Sequence, residues 1–413
     1  MPATTTGSAT TDAHAQRARA FEQDVRHLAG IERSSASPGE REAAEWIAAR
    51  LRALGVESRV ERERAHGGYW RPIGLLNALA ALAGLGALRA RARPGRALAA
   101  LLGGGAAAAL WDDVGGGRHW FRKAALPFRD TWNVVGELGA PAAEAQRTVV
   151  LIAHHDAAHS GLVFHPALPR FFPDRFPELH ARSTQTFPVM ALTWLGPLLS
   201  GAGALLRSRR VLRLAVAFAL GTIAAMADIG ARETVPGAND NLSAVAVLLA
   251  IAQALRDAPP PAGVRVILLS TGSEESFMEG MRGFAASHFH ELDRASTELL
   301  CLECVGGPKL IALEGEGMLR MRHYPAAARE ALAAAAARTG IELGRGLKTV
   351  AATDALIALR AGYSVATLAA VDYTNFPANY HWRSDHPDNL TWQTIGEAIA
   401  VTEAFVRGTP GAA

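Results

Sequence analysis

Three histidines and one aspartate follow an apolar run in the segment LIAHHDAAHSG, residues 151–161. The apolar run, residues 148–153, is typical of a buried strand, so these side chains stand at its carboxyl end. Imidazole is a common metal ligand, and a nearby carboxylate can orient it. The alternative is a polar loop in which histidines occur by chance. The metal interpretation therefore requires matching carboxylates at the ends of other strands.

Four further segments carry such groups beside apolar strands or before a helix. The candidates are Asp240 in GANDN, Glu274 and Glu275 in SEES, Glu303 in ECVGG, and Tyr380, His381, Asp385 and His386 in YHWRSDHPDNL. Each is weak alone, since an aspartate before a helix is usually only an N-cap. Sites in open α/β sheets form beyond the carboxyl ends of strands, so these segments could converge at one edge. Together they supply a ligand set suited to Zn²⁺.

The order and wording of these motifs resemble the co-catalytic zinc aminopeptidase family of the bacterial leucyl aminopeptidase and aminopeptidase Y type. Glutaminyl cyclases are relatives of this family. AHHD matches the family's His-x-Asp, GANDN its Gly-x-x-Asp-Asn, SEES its Glu-Glu, and ECVGG its Asp-x-x-Gly. YHWRSDHPDNL matches its Tyr-His followed by an acidic cluster. The resemblance covers most of residues 30–408, apart from two long insertions.

The resemblance implies two zinc ions per chain. His154 and Glu303 would bind one ion, Glu275 and His381 the other, and Asp240 would bridge them. Glu303 stands where the family more often has Asp, so the geometry of the first ion or the substrate preference could differ. The gap between His154 and Asp240 is also longer than usual, because an insertion intervenes.

The resemblance also implies the catalytic roles. Glu274 would be the general base that activates a metal-bridged water, and Tyr380 would donate to the developing oxyanion. Asp156 would orient the imidazole of His154. Asp354 falls where the family carries an Asp-containing loop near the site. His155 and His159 are expected to have no role.

Three functions follow from this reading. The first is a zinc-dependent exopeptidase, an aminopeptidase acting on small peptides. The second is a glutaminyl-cyclase-like acyltransferase with one functional zinc ion. The third is a catalytically silent binding module of the same fold. The complete ligand set favours the exopeptidase, while the preferred residue and the oligomeric state are not predicted.

Short apolar runs alternate with helical patterns, which predicts an α/β three-layer sandwich with a mostly parallel central sheet. The predicted strands are 56–61, 132–138, 148–153, 264–270, 298–305, 309–313 and 365–371. The predicted helices are 37–55, 243–257, 279–291, 325–338, 354–361 and 392–407. We expect a disordered tail over residues 1–13 and a single zinc peptidase domain over residues 14–413.

Charge and cysteine content exclude other classes. The net charge is only +3, and no basic run with interleaved aromatics appears, so nucleic acid is not an expected partner. Cys301 and Cys304 would face opposite sides of a strand, which argues against a shared zinc or redox site. The first fifteen residues hold no apolar run, so no secretory signal peptide is expected.

Two insertions, residues 66–130 and 161–235, interrupt the alternation. Each contains an apolar helical hairpin with an arginine-rich tip. We predict membrane association through residues 72–111 and 187–229, because four extra apolar helices need a surface to bury them. The orientation of the protein in the membrane is not predicted. The positive-inside bias places the arginine-rich tips in the cytoplasm and the catalytic domain outside, yet no signal peptide would carry that domain across the membrane. The alternative is a soluble lid on a cytoplasmic protein.

Overall fold

The computed structural model describes residues 6–90 and 92–408. Seven strands form the main sheet: β1 (Glu57–Ala65), β2 (Arg129–Gly139), β3 (Arg147–His154), β4 (Val264–Thr271), β5 (Thr297–Glu303), β6 (Lys309–Ala312) and β10 (Ser364–Val371). Three two-residue strands form a small second sheet: β7 (Gly315–Glu316), β8 (Arg322–His323) and β9 (Lys348–Thr349).

The main sheet has the strand order β1-β2-β4-β3-β5-β10-β6. Its four central strands, β4, β3, β5 and β10, run parallel to one another, whereas the outer strands pair antiparallel. His154 at the end of β3 pairs with Thr271 at the end of β4. Because parallel strands end at the same edge, the segments after β3, β4 and β5 emerge side by side.

Helices cover both faces of this sheet. They are α1 (Thr6–Arg19), α2 (Glu22–Ala29), α3 (Pro38–Ala53), α4 (Trp70–Arg89), α5 (Arg93–Val114), α6 (Trp120–Ala125), α7 (Ala167–Arg175), α8 (Pro177–Ala181), α9 (Val189–Leu205), α10 (Arg209–Ala231), α11 (Ser243–Asp257), α12 (Glu279–His288), α13 (Ala326–Thr339), α14 (Ala355–Ala361) and α15 (Trp392–Arg407). Alternate residues of β3 enter two separate apolar clusters, Val149 and Leu151 on one face and Val150 and Ile152 on the other. The predicted three-layer α/β sandwich is confirmed.

Every predicted strand and helix corresponds to an observed element within a few residues. Helix α3 begins at the segment SPGE, residues 37–40, which is typical of a capping box: the Ser37 hydroxyl accepts a hydrogen bond from the Glu40 amide. The N-terminal tail differs from its prediction. Residues 6–13 lie in helix α1, whereas residues 1–5 lie outside the described residues.

The insertions build a four-helix bundle from α4, α5, α9 and α10. The second insertion is more than a hairpin, because α7 and α8 precede its two long helices. Close backbone approach holds the bundle together: a Cβ added to Gly103 on α5 would lie 2.5 Å from the backbone nitrogen of Gly201 on α9. The arginine-rich tips meet at one end, where Arg209 donates to the carbonyl of Leu88. The opposite end adjoins the sheet.

The outer face of the bundle is apolar. Exposed side chains on its four helices are Leu75, Leu82, Leu98, Leu101, Trp111, Leu192, Leu198, Leu205, Leu214, Phe218 and Leu220. Four helices of the described chain are long and apolar enough to cross a membrane: α4, α5, α10 and the stretch Ala238–Asp257. The last of these is buried in the core of the sandwich, and α9 is an apolar helix of shorter length.

Candidate metal centre

The predicted site residues converge at the carboxyl edge of the sheet. His154 ends β3, Glu303 ends β5, and Glu274 and Glu275 lie in a short 3-10 turn after β4. Asp240 precedes α11, and His381 lies in the loop between β10 and α15. The cluster therefore combines strand ends with loops that only the folded chain brings together.

The GANDN segment fixes Asp240 through its two asparagines. The Asn239 side chain accepts from the amide of Gly306, and the Asn241 side chain accepts from the amide of Cys304, both at 2.9 Å. Gly237 adopts a left-handed conformation with φ +57°, and a Cβ there would lie 2.6 Å from the Asp240 carbonyl oxygen. The motif thus anchors the aspartate against the end of β5.

Asp240 lies between the two histidines. Its Oδ1 is 3.1 Å from His154 Nε2, and its Oδ2 is 3.2 Å from His381 Nε2. Glu275 Oε2 is also 3.2 Å from His381 Nε2, and Glu303 Oε1 is 3.6 Å from His154 Nε2. One carboxylate oxygen of Asp240 thus faces each histidine, with a second carboxylate beside each imidazole.

These groups fit a pair of divalent cations. Despite these short distances, four buried atoms of the cluster form no hydrogen bond of acceptable geometry with the described residues: His154 Nε2, both ring nitrogens of His381, and Glu275 Oε1. An orphaned buried polar atom is costly, so its presence points to a bound group. The ligand atoms of His154, Asp240 and Glu275 lie within 4.8 Å of one another, as do those of Asp240, Glu303 and Cys304. The set of imidazole nitrogens and carboxylate oxygens suits Zn²⁺.

Charge supports the same conclusion. Burial raises the pKa of Glu275, and it raises the pKa of Glu274 well above its ordinary range. Carboxylates this close to one another repel, so they can all be ionised only when cations lie among them. For Asp240, burial opposes ionisation, but contacts with the two histidines outweigh it and lower the pKa.

Asp156 lies where an orienting residue is expected. Its Oδ1 is 3.3 Å from His154 Nδ1, which leaves the opposite ring nitrogen directed at the cluster. The same carboxylate accepts from the backbone amides of Glu274 at 3.0 Å and Glu275 at 3.2 Å. Asp156 therefore positions two elements of the centre at once.

Tyr380 stacks on the ring of His381, with ring centroids 3.8 Å apart. Burial raises the pKa of its phenol well above the ordinary value, so the hydroxyl keeps its proton and can donate. Asp354 accepts a short hydrogen bond from the Thr271 hydroxyl, and burial raises the pKa of its carboxyl to about 7. Both residues border the cluster.

Two further carboxylates support the site, and only one of them, Asp385, lies in a motif that the sequence indicates. Glu40, whose position three residues after Ser37 indicates only a capping box of α3, accepts from the amide and hydroxyl of Ser273, next to Glu274 and Glu275. Asp385 accepts from the amides of Asn239 and Asp240 at 2.6 and 3.1 Å. Asp385 belongs to the acidic cluster of its motif, but Glu40 carries no sequence signal beyond its helix cap.

Cys304 also lies closer to the site than expected. Its thiol is 3.2 Å from Glu303 Oε1, and burial raises its pKa well above the ordinary value. Cys301 lies in the apolar cluster on the bundle side of the sheet, so the two free cysteines do not form a pair.

The remaining histidines of the opening motif have other partners. His155 contacts the Ser270 hydroxyl, and burial lowers its pKa to about 3. His159 contacts the carbonyl of Arg232, 2.7 Å away.

A cavity of about 80 Å³ adjoins the ligand cluster. Its walls are mainly small or apolar and include Leu313, Leu347, Ala369, Val371 and Phe376. Thr186, from the second insertion, closes part of it. The insertion therefore contributes directly to the wall of the site.

The first insertion contacts the turn that carries Glu274 and Glu275. Arg122 of α6 is fully buried, pairs with Asp113 of α5 at 2.7 Å, and donates to the carbonyl of Ser276 at 2.8 Å. Phe277 of the turn stacks on Tyr69, with ring centroids 5.4 Å apart. Both insertions thus reach the metal centre, each from a different side.

Known proteins identify the class of the fold. It is shared by an aminopeptidase from Aneurinibacillus sp. strain AM-1 (TM-score 0.55, 13% identity, 96% of each chain covered). A zinc aminopeptidase from Bacillus subtilis is similar over 95% of this chain and 94% of its own (TM-score 0.53, 13% identity). A glutaminyl cyclase from Tannerella forsythia matches 96% of this chain and 98% of its own (TM-score 0.54, 12% identity). The chain therefore has the fold that these two aminopeptidases and the cyclase share.

Sequence comparison then matches part of the chain to a family. Residues 222–406 match peptidase family M28, and the predicted resemblance to the co-catalytic zinc aminopeptidases is confirmed. The matched region contains Asp240, Glu275, Glu303 and His381, whereas His154 lies before it. No curated protein sequence matches the chain.

Proposed function

We propose that the protein is a di-zinc aminopeptidase. The observation that carries this proposal is the position of Asp240, which directs one carboxylate oxygen at each of two buried histidines whose facing nitrogens form no hydrogen bond with the described residues. His154 and Glu303 would hold one ion, and His381 and Glu275 the other. When bound, a zinc pair acts as a Lewis acid that activates water and polarises the scissile carbonyl.

Glu274 acts as the general base in this proposal. Its Oε2 lies 4.0 Å from His154 Nε2, so it borders the cluster without occupying the closest ligand positions. Burial favours its protonated form, which makes the carboxylate a strong proton acceptor. It would take a proton from the attacking water and pass it to the leaving amine.

Tyr380 and Asp156 complete the chemistry. The protonated phenol of Tyr380 would donate to the oxygen of the tetrahedral intermediate. Asp156 would keep His154 in one tautomer and hold the backbone of the glutamate turn. A catalytically silent binding module would not need both a proton donor to the intermediate and a residue that fixes the tautomer of His154.

The cavity beside the cluster favours a small apolar side chain at the N-terminal residue of the substrate. Its walls include the aliphatic side chains Leu313, Leu347 and Val371, which suit an aliphatic residue, and its volume of about 80 Å³ favours a small one. Because Thr186 closes one side, we expect short or extended peptides in preference to folded ones.

We further propose that the bundle of α4, α5, α9 and α10 lies in a lipid bilayer. Helix α10 has 23 residues and is therefore about 34 Å long, which matches a hydrocarbon core of about 30 Å. No Asp, Glu or Lys occurs in residues 73–111 or 189–227, and the arginines there cluster at the tips.

Metal analysis combined with a substrate panel tests the enzymatic proposal. Active protein should contain two zinc ions per chain, chelation should abolish activity, and Zn²⁺ or Co²⁺ should restore it. Aminoacyl-arylamides with small aliphatic residues should be cleaved, with release of the free amine. Fewer than one metal per chain in active protein, or cyclisation of an N-terminal glutamine without hydrolysis, would contradict the proposal.

A further inference from the structure

Residues 162–187, which we name the mouth segment, connect the loop after β3 to the bundle. At one end, the amide of Leu162 donates to Asp228 in the last turn of α10 at 2.6 Å. At the other end, Phe187 lies two residues before the start of α9. Both ends are therefore fixed at the end of the bundle that adjoins the sheet, opposite the arginine-rich tips.

The mouth segment exposes an unusual number of large apolar side chains. Seven of them are between 41% and 65% exposed: Leu162, Leu168, Phe171, Phe172, Phe176, Leu179 and Phe187. Soluble surfaces rarely gather this much apolar area in one short stretch. Arg170, Arg175 and Arg182 are interspersed and form no ion pair among the described residues. Aromatic rings mixed with arginines are typical of the boundary between lipid tails and headgroups.

The same segment forms one wall of the metal centre. The Phe164 ring lies 4.6 Å from the His381 ring, and Thr186 lines the cavity that holds the ligands. Beside it, an open pocket of about 580 Å³ is lined by three arginines and one carboxylate, Arg170, Arg175, Arg383 and Asp174, together with His165 and Trp382. Its guanidinium groups suit phosphate oxygens.

We infer that the mouth segment lies in the phospholipid headgroup layer, so that the metal centre opens at the bilayer surface. The inference rests on the proposed membrane-embedded bundle and adds a substrate class to the proposed aminopeptidase. The substrate is the N-terminal stretch of an amphiphilic peptide that is itself bound to the membrane. Such a peptide reaches the zinc site by diffusion along the surface.

Depth measurements on the full-length protein test the position of the segment. The protein is reconstituted in vesicles of phosphatidylcholine and phosphatidylglycerol, with a nitroxide on Phe171→Cys, Leu82→Cys or Glu45→Cys. Wild type serves as the labelling control, because Cys301 and Cys304 are buried. The label at position 82, on the bundle, should contact oxygen in the lipid core, and the label at 45, on α3, should contact a water-soluble relaxation agent.

The label at position 171 should show intermediate depth at the headgroup layer. If it behaves like the label at 45 while the label at 82 is immersed, the inference is wrong and the embedded bundle stands. If the labels at 82 and 171 are both in water, the membrane proposal itself fails and the inference fails with it.

A kinetic comparison tests the substrate class. The double variant Phe171→Ser/Phe176→Ser should lower the ratio of kcat/KM for a lipid-anchored peptide to kcat/KM for a soluble aminoacyl-arylamide by about tenfold. Leu205→Ser, at the far end of the bundle, is the matched control and should leave this ratio unchanged. Zinc content and Tm report whether the variants fold. An unchanged ratio in the folded double variant would overturn the inferred substrate class, whatever the activity on soluble substrates.

Discussion

The adjacent glutamates of SEES have different surroundings at the scale of single residues. Glu275 Oε2 lies 3.2 Å from His381 Nε2, and its buried Oε1 has no hydrogen-bond partner among the described residues. Glu274 has no contact with His381 among the ion pairs of the described residues, and its nearest imidazole nitrogen is 4.0 Å away. This difference supports the proposed roles of Glu275 as a metal ligand and Glu274 as the general base.

The substitution Glu274→Gln should therefore preserve the metal and remove the base. We expect two zinc ions per chain and a kcat lowered by roughly 10²–10⁴-fold. Glu275→Gln is the matched comparison, since it should lose metal as well as activity. Elemental analysis and steady-state kinetics decide the matter: near-normal turnover of the Glu274 variant would refute its assignment as the base.

A second prediction concerns Glu316, which is fully buried and accepts from the Tyr324 hydroxyl and the Thr353 amide. Burial raises the pKa of its carboxyl to about 8. The Glu316 carboxyl therefore keeps its proton in the folded state at pH values above about 4.5, the ordinary pKa of glutamate, where the unfolded state releases it. The stability that this proton contributes is complete below that pH and is lost as pH rises towards 8.

Glu316→Gln should thus gain stability relative to wild type as pH rises from 5 to 8. Free energies of unfolding measured with denaturant at several pH values, both proteins side by side, provide the check. A constant difference between the two proteins across this range would show that the carboxyl is ionised in the fold.

The residue types in the sequence predicted which side chains lie at the centre of the site, but they did not predict every residue that holds those side chains in place. His154, Asp240 and His381 were found because their chemistry is rare in apolar strands and turns. Glu40 was not, because a glutamate three residues after a capping serine already has a local explanation. Its contact with Ser273 spans 233 positions of the chain, which no local pattern reveals.

At the scale of elements, the turn after β4 has an uncommon backbone that the first insertion supports. Ser273, Phe277 and Met278 have φ values of 49°, 69° and 57°. Each left-handed non-glycine residue costs about 1–2 kcal/mol, so surrounding contacts must hold the turn. Arg122 supplies one such contact through the Ser276 carbonyl, and its charge is balanced by Asp113.

Arg122→Met should destabilise the protein by about 3–5 kcal/mol, because it leaves Asp113 buried without its partner. The loss should be accompanied by weaker zinc retention, since Glu275 lies in the supported turn. Arg118→Met, at a neighbouring exposed position, is the control and should change neither Tm nor zinc content. If the two variants have the same Tm and the same zinc content, Arg122 does not support the turn.

The bundle makes an independent prediction about two glycines of α5. Gly103→Ala would place a Cβ 2.5 Å from the backbone of Gly201 and should separate α5 from α9, costing about 1–3 kcal/mol. At Gly105 an added Cβ has nothing within 4 Å, so Gly105→Ala should stabilise the helix by about 0.5–1 kcal/mol. Thermal unfolding in detergent should move in opposite directions for these variants, and shifts of the same sign would contradict the observed helix contact.

At the scale of the whole molecule, local sequence patterns predict the strands of the main sheet, but they predict the four-helix bundle only in part. Alternation of apolar runs and helices located every strand of the main sheet, because burial on both faces leaves a strong signal. The apolar runs of the insertions were equally visible, but their pairing was not. Helix α4 packs on α10 and α5 packs on α9, which are contacts between separate insertions. Long-range packing of this kind depends on surface shape, such as the glycine contact between α5 and α9.

The charge and exposure of the bundle make a final prediction about the location of the molecule in the cell. Leu82, Leu101 and Leu205 are 68%, 73% and 73% exposed, and the arginines lie at one end. A soluble four-helix bundle buries such leucines, whereas a bilayer covers them without further protein. Expressed protein should therefore sediment with membranes, resist extraction with carbonate, and be released by detergent with its zinc. A monodisperse species recovered entirely in the high-speed supernatant, without detergent, would show instead that the helices form a soluble lid.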